Sequence, residues 1–193
     1  MNLYIRLLYM LIASFFKPRI EEALGSSSLD FCVLPSDLDL NGHMNNGRYL
    51  TIMDLGRMDY VLRVGMAGYI IRNGYIPVLS SASIRYRLPL LPFRKFRLTT
   101  RILCWNDKWF YMEHRFIIRG GKKDGAVAAI ALVKGSFFDK KTRATVPSAS
   151  ILNAIDYTGE SPAFPTSIVK WAESEEALRA ETAPPAAQEI LQD

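Results

Sequence analysis

The chain has 193 residues, enough for one domain with a short appendage at each end. Apolar residues make up 49% and charged residues 22%, a balance that supports a buried core and excludes disorder throughout. The formal net charge of +5 suits an anionic small ligand or an anionic membrane surface, and no nucleic-acid-binding motif accompanies it.

The amino terminus opens with an apolar run, Leu3 to Phe16, interrupted by Arg6 and closed by Lys17 and Pro18. It falls short of the ~20 residues that span a bilayer. On a helix, Asn2, Arg6, Ala13 and Lys17 share one narrow face, while leucines, tyrosines and Met10 cover the rest. Two readings stand: a helix lying in a membrane interface through residues 2–17, or a helix packed on its own domain or a partner subunit. Gly25 to Leu29 then marks a linker. The expected division is an apolar segment over 1–24, a domain over 25–160, and a helix with a mobile tail over 161–193.

Within the domain, a short strand ends at Pro35, and a polar segment leads into a helix from about Asn46 to Val64. Tyr49, Met53, Gly56, Tyr60 and Val64 recur at helical spacing, so one stripe can face a sheet, and Gly56 lets it approach closely. Asn45 or Asn46 can cap its start and Gly65 its end, while Arg57 and Asp59 read as helix-surface or interface charges. From Ile76 onward four long strands follow, separated by turns at Asn106–Lys108 and Gly120–Lys123. Phe96, Leu98, Thr100, Ile102 and Cys104 alternate with Arg97, Thr99, Arg101 and Leu103, a half-buried antiparallel pattern. The expected class is α+β, one long helix against the concave face of an antiparallel sheet. A last helix is expected from Ile168 to Ala180, with a mobile tail over Thr182 to Asp193.

Cys32 and Cys104 lie far apart in strand-like runs and read as buried, inert thiols of a reducing, cytoplasmic compartment. With His43 and His114 as the two histidines, no zinc-ligand spacing exists, so neither a metal nor another cofactor is expected.

Chemistry concentrates in Asp37 to Tyr49, DLDLNGHMNNGRY. Asp37, Asp39, Asn41 and His43 alternate, so an extended segment would aim all four to one side. The helix that follows offers its first N–H groups to an oxygen on which negative charge grows. A carboxylate, an amide, an imidazole and an oxyanion site within about ten residues suffice for acyl transfer to water. The same residue types also make ordinary loops and caps.

Asp39, Gly42, Asn46 and Tyr49 resemble the D-x-x-G-x-x-x-N-x-x-Y neighbourhood of the 4-hydroxybenzoyl-CoA thioesterase-like family, whose catalytic carboxylate matches Asp39. DLDLNGHMNNGRY is also similar to a stretch of plant acyl-ACP thioesterases, in which the residues matching Asp39, Asn41 and His43 are implicated in catalysis. A likeness over most of the chain is to the group of thioesterase superfamily member six and its bacterial relatives, through SDLDLNGHMNNGRYL, the segment from Arg85 to Phe116, and SIVKWAESEEAL. The resemblance implies a hotdog fold, a homodimer or dimer of dimers, and hydrolysis of acyl-CoA or acyl-ACP, with coenzyme A present only as part of the substrate. The acidic and cysteine residues that plant enzymes place in a second segment have no clear counterpart here.

On this reading Asp39 is base or nucleophile, and Asn41 and His43 assist it. Asn46 and Gly47 form the oxyanion site, and Tyr49 lines the acyl pocket. Arg85, Arg87, Arg94 and Lys95, in the densest basic stretch, are candidates for the phosphates of coenzyme A. The alternative is a non-catalytic acyl-thioester-binding protein or membrane-associated scaffold of the same fold. A hydratase is disfavoured, because Gly42 stands where its D-x-N-P-x-H motif has proline and His43 comes one residue early.

Overall fold

The structure, a computed structural model, describes residues 2–22 and 24–182. Five antiparallel strands form a sheet in the order β1-β3-β4-β5-β2: β1 (Ser27–Cys32), β2 (Tyr75–Tyr86), β3 (Lys95–Trp105), β4 (Phe110–Arg119) and β5 (Val127–Asp139). A short β6 (Ala144–Val146) extends the far end of β5. The pairing register shifts at Leu79/Ser81, Ile102/Cys104 and Phe116/Ile117. Such irregularities bend strands, and they suit a sheet that curls.

Helix α2 (Asn46–Arg63) lies against this sheet. Asn45 caps it, its side-chain oxygen accepting the Gly47 N–H at 2.8 Å, and Gly65 at φ +91° turns the chain away beyond its end. Tyr49, Ile52, Met53, Leu55, Gly56 and Tyr60 are buried at the spacing that the apolar stripe predicts. They meet Leu29, Phe31, Phe96, Leu98 and Phe116 in one core cluster, while Tyr60 joins a second with Ile102, Trp105 and Phe110. Gly56 sits where the helix comes closest: a Cβ there would lie 2.5 Å from Thr100 Oγ1 and 2.6 Å from Leu98 Cδ2. A side chain there would force the Thr100 and Leu98 side chains aside or lift the helix off the sheet.

Two short helices, α3 (Ala67–Asn73) and α4 (Ser148–Asn153), close the second cluster and lie outside the sequence expectation. From Pro162 a second compact unit carries α5 (Thr166–Glu181), the helix expected over Ile168 to Ala180. The expected mobile tail falls, beyond Thr182, outside the described residues. Cys32 and Cys104 are free thiols. Cys104 is buried, which pushes its pKa up to about 11, whereas Cys32 is only half-buried, short of the expected burial.

One sequence expectation needs correction. Asp59 is not a surface charge: it is fully buried, accepts from Ser14 Oγ at 2.9 Å, and lies 3.8 Å from Lys17 Nζ and 3.5 Å from Arg63 Nη1. Helix α1 (Asn2–Phe16) packs on α2 with its polar stripe inward, in line with the reading of a helix packed on its own domain. Arg6 bonds to Asp37, Ser14 to Asp59, and Lys17 to the Ser28 carbonyl at 3.0 Å. Met10 between them is fully buried.

His114 on β4 is also buried, with Nδ1 2.9 Å from Thr100 Oγ1 and no hydrogen-bond partner for Nε2 among the described residues. Burial, aided by the nearby Arg57 charge, holds its pKa down at about 3. In the unfolded chain the same ring titrates near 6.5, so between those values the unfolded state takes a proton that the folded state refuses. Stability is therefore expected to fall as pH drops below 6.5, through this group by up to roughly 1.4 kcal/mol per pH unit. Urea denaturation at stepped pH should show a shallower acid slope for His114→Gln than for the wild type; parallel slopes would remove His114 as the cause.

Candidate active site

The segment from Asp37 to Asn45 is not extended, so the alternation of its polar residues does not put them on one side. Pro35–Asp37 form a single 3-10 turn, and Gly42, at φ +72°, reverses the chain. The Gly42 N–H reaches the Asp39 carbonyl at 3.1 Å, the Asp39 N–H reaches the His43 carbonyl at 3.0 Å, and Leu38 pairs with Met44. Only glycine adopts that φ without strain, which accounts for Gly42 at this point. The loop is then tied at both ends: the Met44 N–H donates to the Leu90 carbonyl and the Asn45 N–H to the Asp37 carbonyl.

This turn brings Asp39 and His43 together. The Asp39 carboxylate accepts the Asn41 backbone N–H on Oδ1 at 2.9 Å, and its Oδ2 lies 3.3 Å from His43 Nδ1. Both side chains are partly exposed, so the carboxylate is held in orientation yet open to a ligand. Asn41 acts here through its backbone, and the residue itself is exposed.

Asp37 is separated from this group. Its carboxylate, 1% exposed, receives Arg6 Nη2 at 2.7 Å and the Leu34 N–H at 2.9 Å, with Arg48 Nε at 3.6 Å. Arg6 also donates to the Cys32 carbonyl at 2.8 Å. The ion pair fastens α1, the end of β1 and the start of the loop to one point, two residues before Asp39.

At the helix start, the Gly47 N–H is taken by the Asn45 cap, so it reaches a substrate oxygen only if the cap yields. The Asn46 N–H is not used by the cap. The Tyr86 hydroxyl donates to the Asn46 carbonyl at 3.1 Å, binding β2 to this end of α2. Tyr49 is buried between Tyr86 and Phe116, with ring centroids 4.9 and 4.7 Å away, and burial raises its phenol to about 12. It packs in the core of the protomer.

The four basic candidates divide. Arg85 and Arg87 flank Tyr86, so strand alternation puts them on the face opposite the helix start. There they line a concavity of about 290 Å³ with Arg115, Val127 and Ile130. Arg94 instead donates to the Gly120 carbonyl at 3.3 Å, and Lys95 begins β3; neither lines the concavity. Arg115 went unnoticed in the sequence. Its place follows from register, because Arg115 pairs with Ile130 and Ile130 with Arg85. It also bonds to Glu113 at 2.9 Å, an anion shared with Arg101.

Comparisons with known proteins bear on this arrangement. The family model described as thioesterase-like superfamily matches residues 33–172. The protein THEM6 of Xenopus laevis is 32% identical over 183 residues, covering 93% of this chain and 84% of its own. Among solved structures, a gentisyl-coenzyme A thioesterase superposes with a TM-score of 0.57 at 24% identity, over 66% of this chain and 99% of that one. A 4-hydroxybenzoyl-CoA thioesterase complexed with 4-hydroxybenzoyl-CoA gives 0.61 at 14% identity, over 67% and 98%. The curled antiparallel sheet with its long helix is thus the hotdog fold of these enzymes.

Removing one partner of the Asp37 pair leaves a buried charge uncompensated. Arg6→Met is expected to cost about 3 kcal/mol or more in urea denaturation. The double variant Arg6→Met/Asp37→Asn should recover a measurable part of that loss, since the two residues touch. Strictly additive losses would show that the pair contributes no coupling.

Proposed function

On the footing that the chain belongs to the thioesterase-like superfamily, we propose that it hydrolyses acyl-CoA or acyl-ACP thioesters at the Asp39–His43 turn. The observation that carries the site is the Asp39 carboxylate, held by the Asn41 N–H and His43 at the entrance to α2 and still partly open to solvent. As general base it takes a proton from water, whose oxygen attacks the thioester carbonyl carbon. The C–S bond then breaks, and the leaving thiolate takes the proton back. As nucleophile it attacks that carbon itself and the C–S bond breaks to expel the thiolate; water then hydrolyses the acyl-enzyme anhydride, restoring the carboxylate and leaving its proton for the thiol. In either course the negative charge on the carbonyl oxygen is met by the Asn46 N–H at the positive end of α2. Gly47 joins once substrate displaces its cap. His43, with Nδ1 toward Asp39, keeps Nε2 for the substrate or the leaving sulfur.

The Arg85–Arg87–Arg115 concavity is suited to the phosphates of a coenzyme A carrier. Arg85 and Arg87 have no ion-pair partner among the described residues, and Val127 and Ile130 give the concavity an apolar wall. Arg94 and Lys95 add positive charge at the turn into β3 without sharing that wall.

The pairing that would complete the assembly is offered by β2. This strand pairs with β5 on one side only, and Pro77 is tolerated there because an edge needs no second ladder. From Tyr75 to Ile84 it carries no charge, and Val78 and Leu79 are exposed. Protected edges ordinarily carry charge, so an uncharged one of this length is suited to a second copy.

Free thiol release from a panel of short, medium and long acyl-CoA tests the catalytic assignment. Asp39→Asn is expected to lower kcat/KM about 100-fold or more with the fold intact. Turnover equal to wild type across the panel would remove Asp39 as the catalytic group, and no turnover by either would favour a non-catalytic binder at this turn. For the assembly, Leu79→Lys should convert a sedimenting dimer to monomer; an unchanged sedimentation coefficient would place the interface elsewhere.

A further inference from the structure

We infer that the outward face of α1 is a lipid-binding surface, which seats the protein on an anionic bilayer with the helix lying flat in the interface. The helix is apolar on its outward side as well as on the side that packs Leu3, Leu7, Met10 and Leu11 against the core. Arg6 and Ser14, with Lys17 just beyond the helix, point into the domain, where each has a defined partner. Its outer arc consists of Tyr4, Ile5, Leu8, Tyr9, Ile12, Phe15 and Phe16, all more than half exposed, with Phe15 and Phe16 at 83% and 86%. These positions repeat at helical spacing, so from Tyr4 to Phe16 they form one strip about 18 Å long. Nothing else in the described chain shows so many large apolar side chains side by side, and such strips are seldom left to water.

The chemistry of the strip selects its occupant. It offers no charge, and its hydrogen-bonding groups are the hydroxyls of Tyr4 and Tyr9. A protein interface of this extent ordinarily carries several hydrogen bonds, and its rim is polar. A bilayer asks for neither: leucine, isoleucine and phenylalanine enter the acyl region, while tyrosines lodge at the headgroups. No acidic residue occurs before Glu21, Arg19 is exposed just beyond the helix, and the net charge is +5. That balance favours anionic headgroups. No helix among the described residues is long and apolar enough to cross a membrane.

The inner contacts make this a fixed surface. With α1 fastened through Arg6 to Asp37 and through Ser14 and Lys17 to Asp59, the strip keeps its orientation relative to the Asp39 turn. The bilayer contact does not depend on the catalytic reading, and its test measures binding without turnover.

The full chain is floated through a density gradient with vesicles of phosphatidylcholine containing phosphatidylglycerol. It is compared with Ile5→Gln/Leu8→Gln/Ile12→Gln/Phe16→Gln, whose fold is checked by circular dichroism. The wild type should float and the variant should partition at least about tenfold less. Should the fourfold variant fail to fold, Phe15→Gln and Phe16→Gln singly, at the two most exposed positions, should each still weaken flotation. Wild-type protein that stays with the lipid-free fraction would overturn the inference. So would equal flotation of wild type and variants, or a fall in oligomer size in the variant with no lipid binding in either, which would mark the strip as a contact between copies.

Discussion

The Asp37 carboxylate is the point on which the rest of the arrangement depends. A carboxylate at 1% exposure persists only where its charge is met from several directions. Here a guanidinium from α1, a backbone N–H from the residue before the 3-10 turn and a second arginine from α2 meet it. These groups come from three separate stretches of chain, so the burial of one charge specifies how α1, β1 and α2 are disposed about the loop. The Asp37 carbonyl then takes the Asn45 N–H, which sets where α2 begins. From that start the cap, the Asn46 N–H and the Asp39 turn follow within a few residues.

The sheet supplies the second constraint. Gly56 brings α2 so near Leu98 and Thr100 that even a methyl group has no room, and the strand irregularities suit a sheet curled about the helix. Tyr86 closes the geometry from the other edge by holding the Asn46 carbonyl. Strand alternation then does two things with three consecutive residues. Tyr86 supports the helix start on one face, and Arg85 and Arg87 present cations on the other.

What was legible in the sequence was local. The apolar stripe of α2, the long strands and the residue types of DLDLNGHMNNGRY report on neighbours within a turn or a hairpin, and each is recovered in place. The spacing of Asp37, Asp39, Asn41 and His43 misled because one glycine at positive φ replaces a strand by a turn, and period-two reasoning ends there. Asp59 misled because a charge on a helix looks solvated until the helix that covers it is known. Arg115 was invisible because its partners lie on β5 and β2, and only the pairing register connects them. The split among Arg85, Arg87, Arg94 and Lys95 has the same origin, since closeness in sequence says nothing about which face a strand shows.

Helix α1 shows how both kinds of information combine. Its periodicity was readable, and it admitted two readings that the sequence could not separate, because an amphipathic pattern does not say which side faces the protein. The buried acids decide it. Asp37 and Asp59 create two places in the domain where a cation lowers the free energy, and α1 carries Arg6 and Lys17 at the spacing that reaches both. Turning the face of Tyr4, Leu8, Phe15 and Phe16 inward instead would leave both carboxylates buried without that charge, at a cost of several kcal/mol each. The orientation that satisfies the acids sets Leu3, Leu7, Met10 and Leu11 against the core and turns the strip from Tyr4 to Phe16 out. The exposed strip is thus a consequence of the same electrostatics that hold the Asp39 loop, and the surface and the candidate site cannot be altered independently through Arg6.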